Sequence, residues 1–204
     1  YQVVTDPSGR YMAAYKKWID GYDCGIRYMD GHIGMLLDAL EKQGVMDDLA
    51  IVVTSDHGED LGEVNCYGEH GTSDAVTHRI PLIVRWPGCR RGHVDQGLHY
   101  QLDLSPSLAD LLGTTPSPRW HGASFAPALR DGTPCGRDHL VLGQCCHGAM
   151  RSVRFDRWIW IRVYHDFFHL YPGEMLFDLA ADPHETNDVA ARHPEVRARA
   201  AGLL

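Results

Sequence analysis

The chain lacks three features, each of which would have pointed to a class of partner. No apolar stretch approaches the roughly 18 residues that a membrane-spanning helix needs, so no membrane partner is expected. No cationic run exceeds the pair Arg90 and Arg91, and 27 acidic against 19 basic side chains give a net charge of -8, so no nucleic-acid partner is expected either. The six cysteines, at 24, 66, 89, 135, 145 and 146, contain no CxxC spacing, and the adjacent Cys145 and Cys146 have no second pair to complete a zinc site. Reduced structural thiols are the expectation. The compartment is not fixed by the sequence, with the cytoplasm slightly favoured.

What is present is enough to fold. At 204 residues, 44% hydrophobic and 23% charged, the chain can bury a core. Ile19, Tyr22, Ile26, Met29, Ile33, Leu36, Leu37 and Leu40 recur at three-four spacing, which predicts a long amphipathic helix over 11–43 stopped by Gly44 and packed on something. "LAIVVTS" (49–55) is the continuous, β-branched run of a strand buried on both faces of a parallel sheet. "RIPLIVRW" (79–86) is a second strand. "DLSPSLADLLG" (103–113) predicts a helix with Ser105 as N-cap, Pro106 at the first helical position and Gly113 past the end.

Between Thr114 and Gly136 the composition shifts to proline and glycine, which predicts a connecting surface loop. Beyond it the period becomes two. "MRSVRF" and "WIWIRVYH" flank a turn at Asp156, with Trp158, Trp160 and Arg162 alternating against Ile159, Ile161 and Val163, and "EMLFDL" (174–179) adds a strand to the same small antiparallel sheet. A polar, Ala- and Arg-rich helix ends the chain. Both tryptophans are expected in the sheet core, and His147, His165 and His169 share no spacing and receive no role.

The stretch "IVVTSDHGEDLGE" (51–63) carries the chemistry. Ligands gather outside the carboxyl ends of strands in open α/β sheets, so Asp56 and His57 would stand at a functional edge, and Gly58 would let the backbone turn away. A carboxylate and an imidazole can hold Mn, Fe or Zn, whereas Ca and Mg prefer oxygen, in which case His57 touches a substrate instead. The plainer reading has Asp56 capping a turn and His57 hydrogen-bonding a loop. Glu59, Asp60, Glu63 and Glu69 make the loop acidic, which either tunes a metal site or, in the plainer reading, keeps the loop solvated.

Taken in order, "YMDGHIGMLLDALEKQGVMDDLAIVVTSDHGEDLGE", "YGEHGTSDAVTHRIPLIVRWPG", "DLSPSLADLLG", "HGASFAPAL", "RSVRFDRWIWIR" and "LFDLAADPHETNDVA" resemble the C-terminal half of the sulfatase family, within the alkaline-phosphatase-like superfamily. The resemblance implies an α/β fold: part of the alkaline-phosphatase-like sheet with flanking helices over 1–113, a connecting loop at 114–136, and a small C-terminal α+β subdomain at 137–204 made of an antiparallel sheet plus helix. It implies that Asp56 and His57 are metal ligands, with His57 alternatively on the ester's anionic oxygens. His70 in "YGEHG" is the nearest stand-in for the basic residue that sulfatases use to grip sulfate and assist the leaving group. Asp30 and Gly34 match a packing signature of the helix; His78 and Arg79 are read as scaffold.

The resemblance also implies a divalent cofactor, Ca, Mn or Mg, in a site that this chain leaves incomplete, and a nucleophile absent from it. Sulfatases carry Cys-x-Pro-x-Arg, whose cysteine becomes formylglycine, and no cysteine here is followed by proline at two and arginine at four. The expectation is therefore a C-terminal fragment of a sulfuric ester hydrolase, inactive alone, whose parent acts on a sulfate or phosphonate ester. The alternatives are a fragment of a phosphonate monoester hydrolase or phosphodiesterase, and a non-catalytic binding or assembly module. Self-association, or pairing with the missing N-terminal half, is expected from an uncovered sheet edge.

Overall fold

The structure is a computed structural model describing residues 10–146, 148–166 and 169–204; His147 therefore lies outside the described residues. Helix α1 (Arg10–Lys42) opens the described chain. Strands β1 (Ile51–Thr54), β2 (Asp60–Leu61) and β3 (Tyr67–Glu69) follow, then the single-turn helix α2 (Ala75–His78) and strand β4 (Leu82–Arg85). Helices α3 (Leu104–Leu111) and α4 (Ala126–Asp131) lead into β5 (His139–Gln144), β6 (Ala149–Phe155), β7 (Trp158–His165) and β8 (Glu174–Asp178), and helix α5 (Pro194–Leu203) closes the fold. No helix among the described residues is long and apolar enough to cross a membrane.

The core sits in the C-terminal half. Strands β5, β6, β7 and β8 form one antiparallel sheet in chain order, with Val153 opposite Trp160 and Trp160 opposite Leu176. Because β7 is apolar at both parities, both of its faces are buried. On one face Met150, Ile159, Ile161, Met175 and Phe177 enclose Val64 and Cys66, which arrive from the turn between β2 and β3. On the other, Val153, Phe155, Trp160 and Leu176 pack against Val189, Ala190 and Ala200 at and before α5. Asp156, at φ 45°, turns the hairpin as its place in the sequence predicts.

Three expectations change in the N-terminal half. β1 pairs antiparallel with β4, Val52 opposite Val84, and Ile51, Val52 and Val53 are only half-buried. A continuous apolar run specifies burial but not the direction of the neighbouring strand, so the parallel reading does not describe this pairing. α1 has the predicted length and ends at Gly44 with φ 71°, yet Tyr22, Ile26, Met29 and Leu36 remain 41%, 48%, 57% and 61% exposed. Its contact with the remaining fold lies in its first turns, where Tyr15 meets Tyr67 edge-on at 4.9 Å and Trp18 reaches Gly68. A Cβ on Gly34 would meet nothing within 4 Å and Asp30 is exposed, so neither packs among the described residues.

The third change is at α3, whose N-cap is Asp103 rather than Ser105. The single 3-10 turn Gln101–Asp103 runs directly into it, and the Asp103 carboxylate is committed elsewhere. It accepts hydrogen bonds from the Tyr100 and Ala123 amides, each at 2.7 Å, and from Nη1 and Nη2 of Arg137. That fully buried carboxylate ties residues 100–123 to the strand-leading segment at 137.

Candidate metal and anion site

β1 ends at Thr54, and Asp56 and His57 stand two and three residues beyond it, at the mouth of an open cleft of about 1600 Å³. The Asp56 side chain is 87% exposed. Its Oδ1 accepts the His57 amide at 3.0 Å, and that bond holds the carboxyl below the usual carboxylate range. Asp56 is therefore ionised at neutral pH. Arg79, Arg91 and Arg154 line the same cleft, together with Asp47, Asp95 and Asp156.

Gly58 is required by a close approach, since a Cβ there would lie 1.8 Å from the carbonyl oxygen of Val76. Its amide donates to the Thr77 carbonyl at 2.8 Å. The motif is thereby fastened to α2, whose N-cap, Asp74, accepts the Thr77 amide at 2.8 Å. His78 closes the same turn through the Asp74 carbonyl at 3.0 Å, and Arg79 is exposed.

The hairpin of β2 and β3 then brings His70 back. Its register sets Asp60 opposite Glu69, so Glu59 and His70 face each other just outside it. The rings of His57 and His70 stack with centroids 3.9 Å apart, and His70 Nδ1 lies 3.4 Å from Glu59 Oε2. The structure thus brings together His57, Glu59 and His70, with Asp56 Oδ2 3.7 Å from His57 Nε2. His57 Nδ1 donates to the Gly58 carbonyl at 2.8 Å, which leaves Nε2 as the ring's acceptor atom.

The acidic loop departs from its solvated reading. Asp60 is fully buried and Glu63 is 8% exposed. Asp60 Oδ2 accepts the Thr72 hydroxyl at 3.0 Å, and the same hydroxyl lies 2.8 Å from Asp74 Oδ2. Burial, with Asp74 beside it, pushes the Asp60 carboxyl up to about 10, so it carries its proton at neutral pH. Glu63 accepts the Leu61 amide at 2.8 Å and meets His184 Nδ1 at 3.0 Å. Glu185, 1% exposed, accepts the Ala75 amide at 2.8 Å, and burial pushes it up to about 8.

Glu63 and Glu185 thus join the site loop to the turn at 184–185, and two further bonds join it to the C-terminal sheet. Ser73 bonds Ser152 of β6 at 2.9 Å, and Gln144 of β5 donates to the His70 carbonyl at 2.6 Å. Sequence reading missed Glu59 as a neighbour of His70 because the contact depends on a two-residue strand. The signal was present in the paired short runs "EDL" and "YGE" on either side of a turn.

The fold is a mixture of helices and small antiparallel sheets, and comparison with known proteins gives its family. The sulfatase family profile matches residues 5–114, and the profile of the N-sulphoglucosamine sulphohydrolase C-terminal region matches residues 68–200. The chain belongs to the sulfatase family, within the alkaline-phosphatase-like superfamily. It is 31% identical over 180 residues to a choline-sulfatase of Rhizobium meliloti, an alignment spanning 83% of this chain and 32% of that relative. It also resembles the solved phosphonate monoester hydrolase of Silicibacter pomeroyi, at 29% identity with a TM-score of 0.70 over 83% of this chain and 36% of that one. A structure solved with its substrate D-glucosamine-2-N,6-O-disulfate shares the fold at a TM-score of 0.77 and 23% identity, covering 98% of this chain and 49% of that one. The chain spans about a third of the length of the curated relatives it matches.

Proposed function

We propose that this chain is the C-terminal part of the catalytic unit of a sulfuric ester hydrolase, inactive by itself, in which Asp56 and His57 hold a divalent cation and His70 contacts the ester's anionic oxygens. The observation that carries the reading is the ionised, exposed Asp56 carboxylate beyond the tip of β1, in a cleft lined by arginines and aspartates. Carboxylate oxygen suits Ca, Mn or Mg, and a hard cation takes six or so ligands, so the remaining ones come from outside this chain or from water. When bound, the cation supplies stabilisation of the negative charge that builds on the transferred group.

Within this chain, His57 is anchored through the Gly58 carbonyl and presents Nε2 to the cleft. His70, carried on a loop held by Gln144 and stacked against His57, is placed to donate a hydrogen bond to an anionic oxygen. We divide the chain into a catalytic part at 1–113, a connection at 114–136 that includes α4, and a C-terminal subdomain at 137–204 that buttresses the site loop. The exposed apolar residues of α1 and β4 are the surfaces by which the chain self-associates or pairs with an N-terminal half.

The experiment joins the chain to a sulfatase N-terminal portion and compares kcat/KM for an aryl sulfate and an aryl phosphonate monoester. The expected result is turnover of the sulfate ester by the joined protein and none by the 204-residue chain. A preference for the phosphonate ester would select the second reading, which the 29% identity to a phosphonate monoester hydrolase supports. Turnover of neither ester would leave only the binding or assembly module.

A further inference from the structure

Cys66 is packed in the core at 1% exposure, whereas Cys145 and Cys146 are exposed free thiols, side by side in the connection from β5 to β6. Neither joins the buried clusters on the two faces of the C-terminal sheet. Two neighbouring thiols in solvent differ in chemistry from one, because the second can resolve an oxidation that begins on the first.

The pair is held by a single side chain. The Cys145 and Cys146 amides both donate to Gln144 Oε1, at 2.8 and 3.0 Å. Two N–H donors require that atom to be the oxygen, so Nε2 of the same amide is the group that meets the His70 carbonyl, to which it donates at 2.6 Å. One planar side-chain amide thus spans the thiol pair and the loop that carries His70. A shift at one end is passed to the other, because both sets of bonds belong to the same rigid group. The Cys146 N–H that Gln144 holds is itself part of the peptide bond between the two cysteines.

We infer that Cys145 and Cys146 form a reversible disulfide with each other, with a peroxide as the oxidant, and that Gln144 transmits its formation to the His70 loop. One thiolate attacks an oxygen of hydrogen peroxide; the O–O bond breaks, leaving a sulfenic acid and a hydroxide that takes up the thiol's proton as water. The neighbouring sulfur then attacks the sulfenic sulfur, the S–O bond breaks, and the hydroxyl leaves with the second thiol's proton as a second water. Two thiols are oxidised and one peroxide is reduced. Adjacent α-carbons stand about 3.8 Å apart across a trans peptide, below the separation of about 4.4–6.8 Å that disulfides favour. The closed ring is therefore strained and easily reduced, which suits a switch rather than a staple. Closing it twists the peptide whose N–H meets Gln144 Oε1, so oxidation loosens that contact and, through Nε2, the hold on His70. The consequence for an ester rests on the role proposed for His70; the disulfide and its reach to the loop do not.

The test treats the 204-residue chain with hydrogen peroxide, then with iodoacetamide and trypsin. Cleavage after Arg137 and Arg151 releases the peptide 138–151, which holds Cys145 and Cys146 and no other cysteine. The expected result is that peptide unalkylated and lighter by two hydrogens, and doubly alkylated when reduced glutathione is added before the iodoacetamide. In the intact protein the Gly71 amide, which shares its peptide bond with the His70 carbonyl, shifts in nitrogen–proton correlation spectra on oxidation and returns on reduction. Cys145→Ser abolishes both responses. Gln144→Ala keeps the disulfide and silences Gly71. Should that variant fail to fold by circular dichroism, Gln144→Glu takes its place, since it keeps an acceptor for the two amides and has no proton for the carbonyl. Peptide 138–151 recovered doubly alkylated after peroxide, carrying sulfinic or sulfonic acids, or joined to another cysteine overturns the inference. So does a Gly71 amide that stays still in the wild type or moves equally in the Gln144 variant. No readout here uses an ester, so a failed aryl sulfate assay would leave this inference standing, and failure here would leave the proposed function standing.

Discussion

The strands β7 and β4 both carry runs of large apolar side chains, isoleucine and valine among them, yet they meet different fates. In β7, Ile159 and Ile161 are fully buried and Trp160 is 2% exposed, because one face packs on the turn at Val64 and Cys66 and the other on α5. In β4, Leu82 and Ile83 are 43% and 64% exposed. An apolar pattern states that a face is to be covered; it does not say by what. The C-terminal sheet finds its cover within the chain, whereas the cover for β4 and α1 is not among the described residues. The site stands at the seam, with Asp56 and His57 following β1 while the loop bearing His70 is held by the C-terminal sheet.

This contrast can be broken by substitution. Ile161→Ala is expected to cost about 2–5 kcal/mol in urea unfolding, the usual range for emptying a packed core site, whereas Ile83→Ala stays within about 0.5 kcal/mol. Equal costs would mean that the two strands are covered alike. Next in size is Asp103→Ala, which strips four charge-assisted contacts from a buried point linking 100–123 to 137, for about 3 kcal/mol. A change near zero would show that Arg137 and the two amides find water without penalty.

A smaller effect depends on pH. Glu185 has its folded value raised from 4.5 to about 8, so the native state holds a proton that the unfolded chain releases. Its stabilising contribution is complete below about pH 4.5 and is lost as pH rises towards 8. Thermal melts of the wild type should fall in Tm between pH 5 and pH 8, and Glu185→Gln should flatten that fall while still accepting the Ala75 amide. An unchanged slope would mean that Glu185 is ionised in the folded protein. Smallest in stability terms is Leu36→Lys with Ile83→Lys, which should lower the mass seen by light scattering at high concentration while leaving Tm nearly unchanged. No change in mass would remove α1 and β4 as association surfaces.

Much of the fold was legible. The long helix, the hairpin turning at Asp156 and the strand at 174–178 follow from periods of 3.6 and 2, and β7 shows burial of both parities because both are apolar. β5 was not read, since "HLVLGQ" has neither clear alternation nor a turn of its own until Gln144. The site was legible as far as neighbours in sequence allowed: Asp56 and His57 stand beyond the tip of β1 as the motif suggested. The burial of Asp60 and Glu63 was not, because it is created by Thr72, Asp74 and His184, whose proximity arises only from the folded hairpin and the C-terminal turn. Charge in a loop predicts solvation by default, and long-range hydrogen bonds reverse it here.

The account stands most directly on the role of the residue beyond β1. Aryl sulfate turnover by the joined protein and by its Asp56→Ala variant, measured under identical metal concentrations, tests it. A loss of about 100-fold or more is expected from removing a cation ligand. Turnover in the variant equal to that of the wild type would contradict the claim that this carboxylate holds the cation.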